Sequence, residues 1–285
     1  MNYPAKLAEF AAKAFKAACL AELEAIKPGN VHIFADGHGM VVQDFLQSAE
    51  AAAQVIAVPE LGVGERIFRA VQATRQEVGN NTNLGIVLLC APLIHASLHG
   101  DSSDFRQDLL AVLNQLSVED AELAFQAILL ASPGGLGASD EHDVHDRPQV
   151  TLLEAMQYAQ ERDHVARQYA TGYGDVFDFG LPRYRELLDR WEKPAWATTG
   201  TYLSYLAEFP DTHIVRKHGI VTATKTQSSA QVLLHKMLEL ENPKLCFRDL
   251  LHFDGELKSN GLNPGTSADL TVATLLADTL QRGVG

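Results

Sequence analysis

Two proline-glycine turns, one near each end of the 285-residue chain, stand among polar side chains. The first runs Lys27-Pro28-Gly29-Asn30-Val31-His32 and the second Asn263-Pro264-Gly265-Thr266-Ser267-Ala268-Asp269. Proline presets φ at one turn position and glycine accepts a positive φ at the next. Turns of this kind gather backbone N–H groups and polar side chains at one point, which suits an anion or a metal-bound nucleotide. The plain alternative is a pair of helix connectors. Around the first turn, Glu24 lies one helical turn ahead of Lys27, and Asp36 and His38 follow His32. That set offers a phosphate partner in Lys27, a metal ligand in Asp36 and a proton carrier in either histidine. Its structural counterpart is a Glu24–Lys27 surface pair beside solvated histidines.

Between the turns lie further polar constellations. Gly79-Asn80-Asn81-Thr82-Asn83-Leu84-Gly85 places four amide or hydroxyl side chains ahead of an apolar helix. One suffices as a cap, and the surplus suits a polar ligand at a helix N-terminus. Asp211-Thr212-His213-Ile214-Val215-Arg216-Lys217-His218-Gly219 reads as a short helix capped by Asp211, with Arg216 and Lys217 as the best polyphosphate contacts in the chain. Glu65 follows Gly64 at a helix start, where a carboxylate also serves as a dipole partner. Ser139-Asp140-Glu141-His142-Asp143-Val144-His145-Asp146 is rich in metal-ligand types without a fixed metal spacing, so a solvated acidic loop is the preferred reading. Thr171-Gly172-Tyr173-Gly174-Asp175-Val176-Phe177-Asp178 has the composition of a lid or binding loop.

The elements that must position these residues are helices. In 7–26, Leu7, Phe10, Ala11, Ala14, Phe15, Ala18 and Leu23 form one apolar stripe. Similar patterns cover 43–57, 64–78, 83–98, 104–115, 119–131, 151–169, 181–192, 196–208, 217–239, 246–258 and 267–281. Val41-Val42 and Ile220-Val221 are too short to build a sheet. The expectation is an all-α protein of about a dozen helices in one domain spanning 1–285. Gly79 is placed to end a helix in the left-handed conformation, Asn81 or Thr82 to cap the next, and Thr266 or Ser267 to cap the last, with Asp269 in its first turn.

Bulk properties exclude several classes. A formal charge of -13 argues against non-specific nucleic-acid binding, though not against a phosphorylated ligand bridged by Mg²⁺. Cys19, Cys90 and Cys246 are far apart and match no zinc spacing, which fits a reducing, cytoplasmic setting. The lysines and Glu9 near the N-terminus argue against a signal peptide, and the apolar run 84–96 is too short to span a membrane.

In this order, the segments resemble the triphosphoribosyl-dephospho-CoA synthase family. The likeness runs through Glu24, Lys27–His32, Gly37-His38, Phe45, Ser48, Gly64-Glu65, Asn81-Thr82 with Gly85, Asp211-Thr212 with Arg216 and Gly219, and Asn263-Pro264-Gly265 with Ser267–Leu270. The family is all-helical and moves the triphosphoribosyl part of ATP onto 3′-dephospho-CoA, releasing adenine. The resemblance therefore implies ATP as a substrate, Mg²⁺ as the metal, and a small-molecule acceptor, with a homodimer left open. It casts Glu24, Asp36, Glu65, Asp211 and Asp269 as catalytic residues, with the last four also holding metal. Lys27, Gly29, Asn30, His32, His38, Asn81, Thr82, Asn83, Arg216, Lys217, Gly265, Thr266 and Ser267 become the substrate and phosphate contacts.

Three positions depart from the family pattern. Asn83-Leu84 follow Asn81-Thr82 where a basic residue or histidine is usual, and Asp175–Asp178 follow Tyr173-Gly174 where an Arg-Gly-Glu segment is usual. Thr266 replaces the second glycine of a Pro-Gly-Gly run. The first two remove positive charge and point to a divergent branch. Its members resemble proteins of tetrahydromethanopterin-type one-carbon metabolism, so a pterin-type precursor is the alternative acceptor. A non-catalytic nucleotide or pterin binder, and an N-glycosidic hydrolase, are further readings.

Overall fold

The computed structural model describes residues 3–134 and 141–283, so Ser139 and Asp140 of the acidic loop lie outside the described residues. Among the described residues the chain forms fourteen α-helices and no strand. The only β-type pairings among them are isolated bridges, His32 with Ala35 and Gly37 with Met40, in the loop after the first Pro-Gly turn. The all-α expectation therefore holds. The helices are α1 (Tyr3–Glu24), α2 (Val42–Ile56), α3 (Val63–Val78), α4 (Leu84–His99), α5 (Phe105–Asn114), α6 (Val118–Ala131), α7 (Leu152–Ala159) and α8 (His164–Ala170). They continue as α9 (Leu181–Trp191), α10 (Pro194–Glu208), α11 (Thr212–His218), α12 (Ile220–Leu238), α13 (Phe247–Ser259) and α14 (Gly265–Arg282).

Two helices form the centre. In α4 every residue from Ile86 to Ile94 is buried, and in α14 burial extends nearly all round from Leu270 to Asp278. A helix apolar on all faces belongs in a core. The two pack on each other, and α1 and α10 pack on α14. The buried hydroxyls of Thr271 and Thr274 on α14 donate to the carbonyls of Ser267 (2.7 Å) and Leu270 (2.9 Å), so their burial leaves no donor unpaired. One apolar cluster gathers α1 to α6 around these helices, and a second joins α9, α10, α12 and α13. The N-termini of α4 and α14 consequently start from fixed positions beside the C-terminal end of α1.

Local punctuation follows the sequence in several places. Gly79 ends α3 with φ 71° and donates its N–H to the Arg75 carbonyl. The start of α4 differs from the expected Asn81 or Thr82 cap: its N-cap is Asn83, whose side chain makes no cap bond, and Asn81 Oδ1 accepts the Leu84 N–H at 3.3 Å. The single helix expected over 151–169 divides, because Asp163 caps a new helix by accepting the N–H groups of Val165 and Ala166. The Thr171–Asp178 segment is neither lid nor ligand loop. Tyr173 is buried and donates its hydroxyl to the Leu89 carbonyl, and Asp175–Gly180 forms a π-helical turn leading into α9. No helix among the described residues is long and apolar enough to cross a membrane.

Candidate functional site

The two Pro-Gly turns interlock. Gly29 adopts φ 84°, and a Cβ there would lie 2.8 Å from Pro264 Cδ and 2.8 Å from Leu257 Cδ1, so only glycine lets the turns approach this closely. Asn30 Nδ2 donates to Asn263 Oδ1 at 2.7 Å, tying one turn to the other. The Gly29 N–H donates to Asp254 of α13 at 2.9 Å, and Tyr202 of α10 donates to the Pro28 carbonyl at 2.6 Å. These bonds set the end of α1 against the start of α14.

A pocket of about 570 Å³ opens beside this junction. Its polar wall carries Glu22, Asn30, Asn83, His213, Thr266 and Asp269. Its far wall is apolar and comes from α4, α6, α7 and α8, with Leu88, Phe125, Ile128, Met156 and Val165 among its residues. Arg216 and Lys217 of α11, and Arg162, bring positive charge to it. His38, Asn81, Thr82 and Gly265 also line it.

Ten of the residues expected at the site therefore meet there: Asn30, His38, Asn81, Thr82, Asn83, Arg216, Lys217, Gly265, Thr266 and Asp269. The others stand elsewhere. Glu24 faces solvent, while Glu22, two residues earlier, takes the ammonium of Lys27. Lys27 is fully buried and bonds Glu22 and Asn30 Oδ1 (2.9 Å), so it is not placed as a phosphate contact. Gly29 lies behind the pocket as a packing glycine. His32 is buried, accepts the Phe34 N–H through Nδ1 and lies 3.4 Å from Asp254, away from the pocket. Asp36 is exposed and accepts the Val42 N–H at the start of α2. Glu65 pairs with Arg69 on the outer face of α3, and the glycine before it is a packing site: a Cβ on Gly64 would lie 2.5 Å from Asp120 Cα of α6.

Asp211 and Ser267 form the joint between α11 and α14. Asp211 Oδ1 accepts the N–H groups of His213 (3.0 Å) and Ile214 (3.2 Å). Its Oδ2 accepts the N–H and the hydroxyl of Ser267, both at 2.8 Å. One carboxylate thus caps its own helix and holds the first turn of another. Ser267 and Thr266 do not themselves cap α14, whose N-cap is Pro264, and Asp269 sits beyond its first turn. Thr266 Oγ1 instead accepts the His213 N–H at 3.2 Å.

Asp269 has no hydrogen-bond partner among the described residues. It lies against Gly85 at the start of α4, where any Cβ would overlap its carboxylate. Burial, then the negative charges of Glu22, Asp211 and Asp163, raise its carboxyl well above the usual range. Burial also pushes Glu22 up, against the pull of Lys27, and pushes Lys27 down, against the pull of Glu22. His213 is driven down to about 3 by burial and then by Lys217 and Arg216, so its imidazole is neutral at physiological pH. Its Nε2 is buried without a partner. Arg216 reaches Asp163 at 3.5 Å, whereas Lys217 has no ion pair among the described residues.

The four carboxylates expected to share a metal do not converge. Asp36 and Glu65 are on the outside and both oxygens of Asp211 are saturated by protein donors. Among the described residues no three His, Cys, Asp or Glu side chains are grouped to hold an ion.

Of the residues missed in the sequence, Glu22 carried a signal: it stands four residues after Ala18 and seven after Phe15, on the apolar stripe of α1. Asp163 carried one as a cap between two apolar runs. The pocket-lining His142 and Asp143 belong to the loop read as solvated.

This is an all-helical protein with a large pocket, among the described residues, built where several helix ends meet and furnished with amides, carboxylates and cations. The family model described as CitG, ATP:dephospho-CoA triphosphoribosyl transferase, matches residues 8–285, and the chain belongs to that family. A crystal structure from Archaeoglobus fulgidus, whose protein carries the provisional description triphosphoribosyl-dephospho-CoA synthase, is similar in fold. It shares 23% identity with a TM-score of 0.62, over 84% of this chain and 98% of the other. At that identity the likeness concerns the fold.

Proposed function

We propose that the chain transfers the triphosphoribosyl group of ATP to 3′-dephospho-CoA and releases adenine, with the pocket beside the joined Pro-Gly turns as the site. The observation that carries this reading is that residues of the family's own motifs line the pocket: Asn30, Asn81, Thr82, Gly85, Arg216, Gly265 and Asp269. Displacement at a ribose anomeric carbon needs polyphosphate contacts and stabilisation of positive charge developing on the sugar. Arg216 and Lys217 supply the first, and Asp269, whose ionised form a cationic sugar beside it would favour, supplies the second. The neutral His213 offers a hydrogen bond without adding charge. Mg²⁺ enters as the partner of the triphosphate, held mainly by phosphate oxygens, as is common for this ion.

The departure at Asn83-Leu84 lies on the pocket wall and supports a second reading of the acceptor, a pterin-type cofactor precursor. The departure at Asp175–Asp178 does not bear on the ligand. Asp175 is bonded to His164 and Gln168 and paired with Arg167, and Asp178 is gripped by Arg106 at 2.6 and 2.8 Å.

Incubation with ATP, Mg²⁺ and dephospho-CoA is expected to yield free adenine and an acceptor heavier by one triphosphoribosyl group, both lost with EDTA. The same assay with a pterin precursor separates the two acceptors. ADP or pyrophosphate without adenine would rule out glycosyl transfer. Tight nucleotide binding without any product would make the protein a non-catalytic binder.

A further inference from the structure

We infer that Glu22 is the base that takes the proton of the acceptor hydroxyl, and that Lys27, through its buried bond to Glu22, is the residue that positions and poises it. The inference rests on the transferase reading above and adds a residue pair to it.

The geometry is specific. Glu22 is 4% exposed and is among the residues that line the pocket. Lys27 is 0% exposed and does not line the pocket, so it has no route to a phosphate. Its ammonium donates to the Glu22 carboxylate and to Asn30 Oδ1 (2.9 Å), and Asn30 in turn donates to Asn263 Oδ1 (2.7 Å). The chain Glu22–Lys27–Asn30–Asn263 thus runs from a pocket carboxylate through both Pro-Gly turns. Lysine in this place fixes one carboxylate oxygen and leaves the other for a ligand. A buried lysine with a single carboxylate partner is costly to keep as a structural device alone.

The charged and titratable groups around Glu22 are Lys27 at the end of its own helix, Cys19 one turn before it, Asp269 from α14 and Tyr202 from α10. Lys27 is the one cation among them. Burial favours the protonated acid, and Lys27 favours the carboxylate. The balance suits a base that must be ionised before the reaction and accept a proton during it.

The step balances as follows. The acceptor hydroxyl oxygen forms a bond to the ribose anomeric carbon of ATP while the bond from that carbon to the adenine nitrogen breaks. The electron pair of the broken bond leaves on adenine, which takes one proton from solvent. The hydroxyl proton passes to Glu22 and is returned to solvent after product release.

The test compares E22Q, K27M and wild type. E22Q is expected to lose about 100-fold or more in kcat with KM for ATP and acceptor little changed. K27M is expected to move the acid limb of the kcat/KM profile to higher pH by about one unit or more, because the cation that holds Glu22 ionised is gone. Retained turnover in E22Q would overturn the base assignment. A raised KM for ATP in K27M with the limb unmoved would make Lys27 a phosphate contact, and a lowered Tm with the limb unmoved would make it structural. Either result overturns its positioning role. If K27M does not fold, the Lys27 ¹³Cε resonance decides: in E22Q it should titrate at lower pH than in wild type, and an unchanged titration overturns the coupling. If wild type releases no adenine with any acceptor, the transferase reading and the base assignment fail together, whereas the ¹³C titration still judges the Glu22–Lys27 coupling by itself.

Discussion

Asp211 and Asp269 entered as two acidic members of one catalytic set, and their surroundings separate them. Four protein donors saturate the carboxylate of Asp211, which is 2% exposed. An asparagine there would turn an NH₂ group towards buried N–H and O–H donors and leave them unpaired, at roughly 1–3 kcal/mol. D211N is therefore expected to lower Tm as well as turnover, because α11 and α14 lose their joint. Asp269 makes no hydrogen bond among the described residues and lies within reach of three other negative charges. D269N removes repulsion and breaks no bond, so it is expected to keep or raise Tm by an amount worth about 0.5–2 kcal/mol while abolishing turnover. Thermal melts of the two variants beside their activities check this. A larger Tm loss in D269N than in D211N would reverse the two roles.

At the level of elements, the sequence showed most of what periodicity and caps can show. The helices, the left-handed end of α3 at Gly79 and the Asp211 cap of α11 were all legible, because each depends on residues close in sequence. The break between α7 and α8 was hidden, since one apolar stripe continues through Glu161–Asp163 and only the cap interrupts it. Glu65 entered the site through the resemblance alone; its own context suggests a helix-start carboxylate, and Gly64 before it is where α6 packs closely. Glu24 was taken for Glu22 because proximity to Lys27 in sequence outweighed the face of α1 on which each sits. The short α11 also carries a pH consequence. His213 is held at about 3 in the folded protein, against about 6.5 when free. A depressed histidine lets the unfolded chain bind the proton first, so its contribution is present above about pH 6.5 and is lost as pH falls towards 3. The stability of wild type relative to H213N should therefore decline between about pH 7.5 and pH 5, by about 1 kcal/mol after allowing for partial exposure. Urea unfolding of both proteins at the two pH values measures it, and a difference that grows on acidification would contradict the assignment.

At the scale of the whole molecule, the proposed transfer asks a chain of net charge -13 to admit a polyphosphate anion. Its overall field opposes the ligand, so association depends on cations concentrated at the pocket. Arg216 is partly engaged with Asp163 at 3.5 Å and with the Gly134 carbonyl at 3.3 Å. Lys217 is exposed, lines the pocket and has no ion pair among the described residues. Burial of part of its stem and the neighbouring Arg216 lower its ammonium somewhat, which a bound anion would reverse. K217A should then raise KM for ATP about three- to tenfold, the loss of one charge-assisted bond, with kcat and Tm unchanged. Ionic strength supplies a second axis. The screening length is about 30 Å at 0.01 M salt and about 8 Å at 0.15 M, so salt removes the distant acidic field before it removes a contact within the pocket. Wild type, which retains the local cation, should show a KM for ATP that changes little across this range. K217A, left with more of the global repulsion, should improve as salt rises, and the ratio of the two KM values should shrink. A salt-independent ratio accompanied by a fall in kcat would move Lys217 from ligand capture into the chemical step.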